Sequence, residues 1–186
     1  SGPIGMINVD ANRRGEVWGF AKNSAVDLPL NQKGKLDVAG AVGIGVLTVI
    51  KDLGLREPYV GTSMLTTSEI AEDLTYYFAT SEQVPSSVAL GVLMEKNNTV
   101  RQAGGFILQL MPEVDEETIT RLEQKIGSLS SITAMLYKGM TPEQILEYVL
   151  GDFGLEVLDQ MPVRFFCGCS KEKVRSAIVT LGKKDL

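Results

Sequence analysis

Over the first 110 residues the apolar positions recur mostly with the short period of strands. Residues 4–9 carry Ile4, Met6, Ile7 and Val9 and run into turn chemistry between Asp10 and Gly15. Residues 16–21 then alternate again around Val17, Trp18 and Phe20. Residues 42–50 are β-branched and nearly all apolar, the composition of a buried central strand, and residues 59–64 form another candidate. Thr66 with Glu69 three positions on predicts a capping box, and Ile70, Leu74, Tyr77 and Phe78 share one face of the helix that follows. Pro85 and its polar neighbours break that helix. Residues 88–95 and 101–110 flank Lys96-Asn97-Asn98-Thr99, which reads as a hairpin turn. The pattern predicts an α+β fold class: an antiparallel-rich sheet core with one packed helix.

After Met111-Pro112 the period changes to that of helices. Glu113, Asp115, Glu116 and Glu117 suit a helix N-terminus, where the backbone dipole favours negative charge. Ile119, Leu122 and Ile126 follow at helical spacing, then Leu129, Ile132, Met135 and Leu136. Thr141 is placed as an N-cap with Pro142 at the first helical position and Gln144 completing a capping box; Ile145, Leu146, Val149 and Leu150 make the stripe, and Gly151 ends it. Helices this short do not stand alone in water. They either complete the core or form a detachable linker whose apolar stripe is exposed when its support is lost.

Composition excludes much chemistry. There is no histidine, which removes Ser-His-Asp and Cys-His nucleophile systems and every histidine-containing zinc set. The net charge of −5 argues against a nucleic-acid surface. No phosphate loop is present, and Gly40, Gly43 and Gly45 lack the G-x-G-x-x-G register, so they read as strand glycines for close packing. The longest apolar run, residues 39–50, contains three glycines and falls short of the roughly 20 residues a bilayer span needs. With no visible signal peptide, a cytoplasmic protein without membrane contact is expected. The opening at Ser1-Gly2-Pro3, without an initiator Met, reads as part of a longer protein.

Both cysteines lie in Phe165-Phe166-Cys167-Gly168-Cys169-Ser170-Lys171-Glu172-Lys173-Val174. Gly168 is expected to let the backbone turn so that the two sulfurs face one point. Ser170 is placed to cap a helix carrying Val174, Ile178 and Leu181, with Gly182 as its stop. Cys169, just ahead of that N-terminus and near Lys171 and Lys173, is expected to favour thiolate. Three readings compete: two inert buried thiols, a C-x-C redox pair closing a tight and relatively oxidising disulfide, or half of a zinc site that needs four ligands.

Three separated stretches, in order, carry a resemblance. Residues 77–86 (Tyr77-Phe78-Ala79-Thr80 through Val84-Pro85-Ser86), residues 104–112 (Gly104-Gly105-Phe106 through Met111-Pro112) and residues 166–174 around the cysteines resemble the redox-regulated bacterial heat-shock chaperones of the 33 kDa chaperonin family, along essentially the whole chain. The resemblance implies a core domain over residues 1–112 whose beginning lies before Ser1, a helical linker over 113–152, and the first half of a small zinc and redox domain over 153–186. It implies a non-enzymatic, ATP-independent holdase for unfolding client proteins, active as a homodimer under oxidative and heat stress. In such proteins Cys167 and Cys169 would be the first two zinc ligands and redox-active residues, joined by a later C-x-x-C. That second pair lies outside this chain, so zinc is expected in the reduced full-length protein and absent or incomplete here. Oxidants join each pair as a disulfide and release the metal. Zinc binding in small structural sites is worth about 10–16 kcal/mol, against about 5–15 kcal/mol for a whole domain. Losing it therefore unfolds a dependent region, and Ile119, Leu122, Ile126, Leu129, Ile132 and Met135 become the expected client-binding surface. A thiol-disulfide oxidoreductase using the C-x-C pair is the competing reading.

Overall fold

The computed structural model describes residues 2–180. In chain order it contains β1 (Ile7–Ala11), β2 (Glu16–Ala21), α1 (Val38–Val42), β3 (Val46–Lys51), β4 (Tyr59–Met64), α2 (Ile70–Thr80), β5 (Ser86–Met94), β6 (Val100–Gln109), α3 (Glu116–Gly127), α4 (Ile132–Tyr137) and α5 (Pro142–Leu150). A single 3-10 turn (Gly151–Phe153), β7 (Arg164–Phe165) and α6 (Lys171–Thr180) follow. This is the α+β class expected. Among the described residues the strands form separate sheets rather than one: antiparallel hairpins β1–β2, β3–β4 and β5–β6, with β7 added to β2 in parallel. Leu181 and Gly182, expected to close the last helix, lie outside the described residues.

Two local expectations are corrected. Residues 42–50 are not one buried strand. Asp37 accepts a hydrogen bond from the Gly40 N–H and starts the short helix α1, which consumes Val42. Gly40 therefore lies in a helix and Gly43 at its C-cap, rather than in a strand. The strand begins only at Val46, and its side chains alternate along the pleat, leaving Val46 and Ile50 on an exposed face. The Thr66–Glu69 capping box does not form either. The carboxylate of Asp73, only 2% exposed and one turn into α2, reaches back and accepts from the backbone N–H groups of Thr66 and Thr67 and from the Thr66 hydroxyl. It takes the Thr66 N–H that Glu69 would have bonded in the expected box, and α2 starts at Ile70 with no side-chain cap.

The helical segment follows its sequence closely. Asp115 caps α3 by accepting from the Thr118 N–H, Ser131 caps α4, and Thr141 with Gln144 closes the reciprocal box at the start of α5. These helices complete a core. Ile132, Met135 and Leu136 of α4 and Ile145 and Val149 of α5 form one buried cluster, with Ala89 of β5 and Phe106 of β6 packed against it. Met135 and Val149 are each 1% exposed. Gly91 makes the approach possible: a Cβ there would lie 2.8 Å from Ile132 Cβ and 2.9 Å from the Thr133 backbone nitrogen. Helix α4 therefore rests directly on the β5 backbone.

Two substitutions test this core by urea unfolding. Met135→Ala should cost about 2–5 kcal/mol, the range for a large buried aliphatic side chain. Gly91→Ala should cost about 1–3 kcal/mol through overpacking, whereas exposed Lys138→Ala stays within about 0.5 kcal/mol. A neutral Gly91→Ala contradicts the close packing of α4 on β5.

Candidate functional site

The cysteine segment is placed by the first hairpin. The Arg164 N–H donates to Gly15 O (2.9 Å) and the Phe166 N–H to Val17 O (3.0 Å), which makes residues 164–165 a short parallel extension of β2. Gly15 has φ +71°, and a Cβ on it would lie 2.2 Å from Pro162 O. Only glycine allows both that turn and that approach. Next to it, Glu16 is 4% exposed. Its carboxylate accepts from Asn12 Nδ2 (2.8 Å) and Arg164 Nη2 (2.8 Å) and pairs with Arg14 Nη2 (2.9 Å). These partners, the Asn12 amide and Arg164 foremost, pull the Glu16 pKa down to about 2. The Arg164 guanidinium also lies 5.3 Å from the centre of the Phe166 ring.

Cys167 and Cys169 follow directly, both free and exposed. Of the three readings of this pair, two inert buried thiols does not hold. Ser170 caps α6 as expected, its hydroxyl accepting from the Lys173 N–H (3.1 Å), and Lys173 Nζ turns back to donate to Gly168 O (2.9 Å). The thiolate character falls on the other sulfur from the one expected. The Cys169 backbone N–H and then its thiol donate to Cys167, and with Lys173 nearby the Cys167 pKa is lowered. Cys169, being the donor to that sulfur, is raised. Gly168, between them, does not adopt a left-handed backbone. The chain has no histidine, and among the described residues no group of three or more Cys, Asp or Glu is gathered to hold a metal ion. Two neighbouring thiols fit half of a tetrahedral zinc site.

The expected client stripe is covered. Leu122, Ile132 and Met135 are buried, and Ile119, Ile126 and Leu129 are half-buried. Helix α3 is also tied to the end of α5 by polar contacts that its apolar spacing does not show. Lys125 Nζ pairs with Asp152 Oδ2 (2.8 Å) and lies 5.8 Å from the Tyr148 ring centre, and the Arg121 guanidinium lies 5.1 Å from that of Phe153. Sequence reading missed Glu16 and Arg164 altogether, because 148 positions separate them and neither belongs to a motif.

Fold and site together define a mixed α+β protein whose hairpins and helices share a core and whose adjacent thiols sit on a clamped C-terminal segment. The family profile described as Hsp33 protein matches residues 1–186. The chain belongs to the Hsp33 family. It is 63% identical to the 33 kDa chaperonin of Lachnoclostridium phytofermentans, covering 100% of this chain and 64% of that protein. With the 33 kDa chaperonin of Bacillus subtilis it is 53% identical, again over 100% of this chain and 64% of the relative. The crystal structure of the 33 kDa chaperonin from Thermotoga maritima matches with a TM-score of 0.89 at 40% identity, over 99% of this chain and 63% of that one. The chain thus spans a little under two thirds of these relatives' length. Among the described residues no helix is long and apolar enough to cross a membrane.

The pKa of Glu16 lies below its ordinary value of 4.5, so its contribution to stability is present above about pH 4.5 and is lost as pH falls from there toward 2. The thermal unfolding midpoint should drop more steeply across that window in the parent than in Glu16→Gln; parallel curves contradict the assignment. In zinc-free reduced protein at pH 7, iodoacetamide should alkylate Cys167 before Cys169, as peptide mapping would show. Equal rates, or Cys169 first, contradict the asymmetry.

Proposed function

We propose that the complete protein is a redox-regulated holdase chaperone: it is activated by oxidation, binds unfolding proteins without ATP and prevents their aggregation under oxidative and heat stress. Membership of a family whose relatives are named 33 kDa chaperonins supports the chaperone part. The observation that carries the redox part is the exposed pair Cys167–Cys169, one sulfur biased toward thiolate, on a segment held apart from a core whose apolar stripe is covered.

In this reading Cys167 and Cys169 are two of four thiolate ligands in the reduced protein, the others belonging to a later C-x-x-C. Zinc, when bound, supplies a structural crosslink that stabilises both thiolates. Cys167 is the better nucleophile of the two. Oxidation by peroxide joins the two sulfurs: the two thiolates give up two electrons, and with two protons from solvent the peroxide leaves as two waters. The region around them then loses order, and α3 to α5 come away from β5 and β6. Release uncovers Leu122, Ile132 and Met135 together with the hairpin face they covered, and this apolar surface takes up the client. The domain division at residues 112 and 152, a homodimeric active form and a cytoplasmic location belong to the same reading.

The test is light scattering of a heat-denatured client with the complete protein, with and without peroxide. Suppression should be stoichiometric and appear only after oxidation, and Cys167→Ser with Cys169→Ser should abolish the response. Hydrogen exchange should show residues 113–151 losing protection on oxidation. Equal protection without oxidant contradicts the redox switch. Catalytic turnover of a disulfide substrate, lost in Cys169→Ser, would instead establish the oxidoreductase reading.

A further inference from the structure

We propose that Glu16 is a positioning residue for the cysteine segment, acting through Arg164, and that the β1–β2 hairpin is the dock on which that segment is held. The inference takes the importance of Cys167 and Cys169 from the function proposed above. The clamp itself stands on separate contacts.

The two oxygens of the Glu16 carboxylate have different partners. Oε2 is satisfied within the hairpin, by Asn12 Nδ2 and by Arg14. The Asn12 side chain is itself held there, its Oδ1 accepting from the Arg14 and Glu16 backbone N–H groups. Oε1 accepts from Arg164 Nη2, which comes from the far end of the chain. The hairpin thus presents a buried carboxylate with one oxygen facing the arriving strand. A buried carboxylate oxygen without a donor is costly, so docking of Arg164 removes a penalty as well as adding a contact.

The backbone alone does not hold this segment. β7 has two residues and pairs with the hairpin over only Glu16–Arg164 and Val17–Phe165, far short of an independently stable pairing. Arg164 completes the joint by spanning from the Glu16 carboxylate to the Phe166 ring, one residue before Cys167. The Pro162 carbonyl rests at Gly15, where a side chain would push it away. Four features at one place therefore hold residues 162–166: the glycine gap, the short backbone ladder, the ion pair and the ring contact. The ion pair is the one that a single side chain can switch off without altering the hairpin's own strand pairing.

Amide hydrogen exchange on the complete reduced protein tests the clamp, read at Arg164 and Phe166 against the β1–β2 ladder amides. Glu16→Gln and Arg164→Met should each speed exchange at Arg164 and Phe166 about tenfold or more, the effect of losing a hydrogen bond to a charged group. The ladder between Ile7 and Ala21 should change less than about threefold. Arg164→Lys, which can still reach Oε1 with one ammonium donor, should restore most of the protection. The double variant should speed exchange by much less than the product of the two single effects, because both remove the shared ion pair. Unchanged exchange in Glu16→Gln, equal behaviour of Arg164→Lys and Arg164→Met, or loosening of the whole hairpin would overturn the proposal. Peroxide-independent chaperone activity in the parent would sink the proposed function and leave the clamp standing.

Discussion

The structure depends first on the burial of one helical face against one hairpin. Ile132, Met135, Leu136, Ile145 and Val149 close over Ala89 and Phe106, and this cluster is the principal apolar core among the described residues. Each helix is too short to persist in isolation. Their caps at Asp115, Ser131 and Thr141 define where they start, but the hairpin gives them a reason to stay. The dependence is mutual, since among the described residues β5 and β6 pair only with each other, and α4 covers the hairpin face that carries Ala89, Gly91 and Phe106. A protein that must expose apolar surface on demand is well served by such an arrangement. Separating two halves of one core exposes both halves at once, with no new surface to be built.

The cysteine segment is held by a different kind of force. Its joint to the β1–β2 hairpin has a two-residue backbone ladder and a buried carboxylate shared by Asn12, Arg14 and Arg164. Helix α3 shows the same division of labour: Leu122 is buried, while Lys125 and Arg121 fasten it to the end of α5. Apolar packing therefore holds α4 and α5 on the β5–β6 hairpin, and charge-assisted contacts fasten the cysteine segment to β1–β2 and α3 to residues 152–153. Charged contacts are geometrically specific and individually modest. They suit joints that must be both well defined and breakable.

Signals confined to a few neighbouring residues were legible in the sequence. The Thr141-Pro142-Glu143-Gln144 start of α5, the Lys96–Thr99 turn, the Ser170 cap and the α+β class all follow from local chemistry and appear as expected. What was not legible depends on reach. Asp73 takes the Thr66 N–H in place of Glu69 because a carboxylate one turn into a helix can bend back to the preceding loop, a geometry that spacing rules do not contain. Asp37 starts a single helical turn inside an apolar run that reads as strand. The candidate site was half visible. The C-x-C pair and the family resemblance identified where chemistry sits, but the bias toward Cys167 depends on which backbone N–H points at which sulfur. The Glu16–Arg164 clamp joins opposite ends of the chain and leaves no mark in either local sequence.

In the proposed activation, the face of α4 and α5 now covering Phe106 is the face that leaves it. Methyl spectroscopy of isotope-labelled Ile132 and Met135 in the complete protein reads this directly through their proximity to the β5–β6 hairpin. The account requires those contacts in the reduced state, their loss when peroxide-treated protein is holding an unfolding client, and their return on reduction. Contacts that persist while aggregation is being suppressed would contradict it.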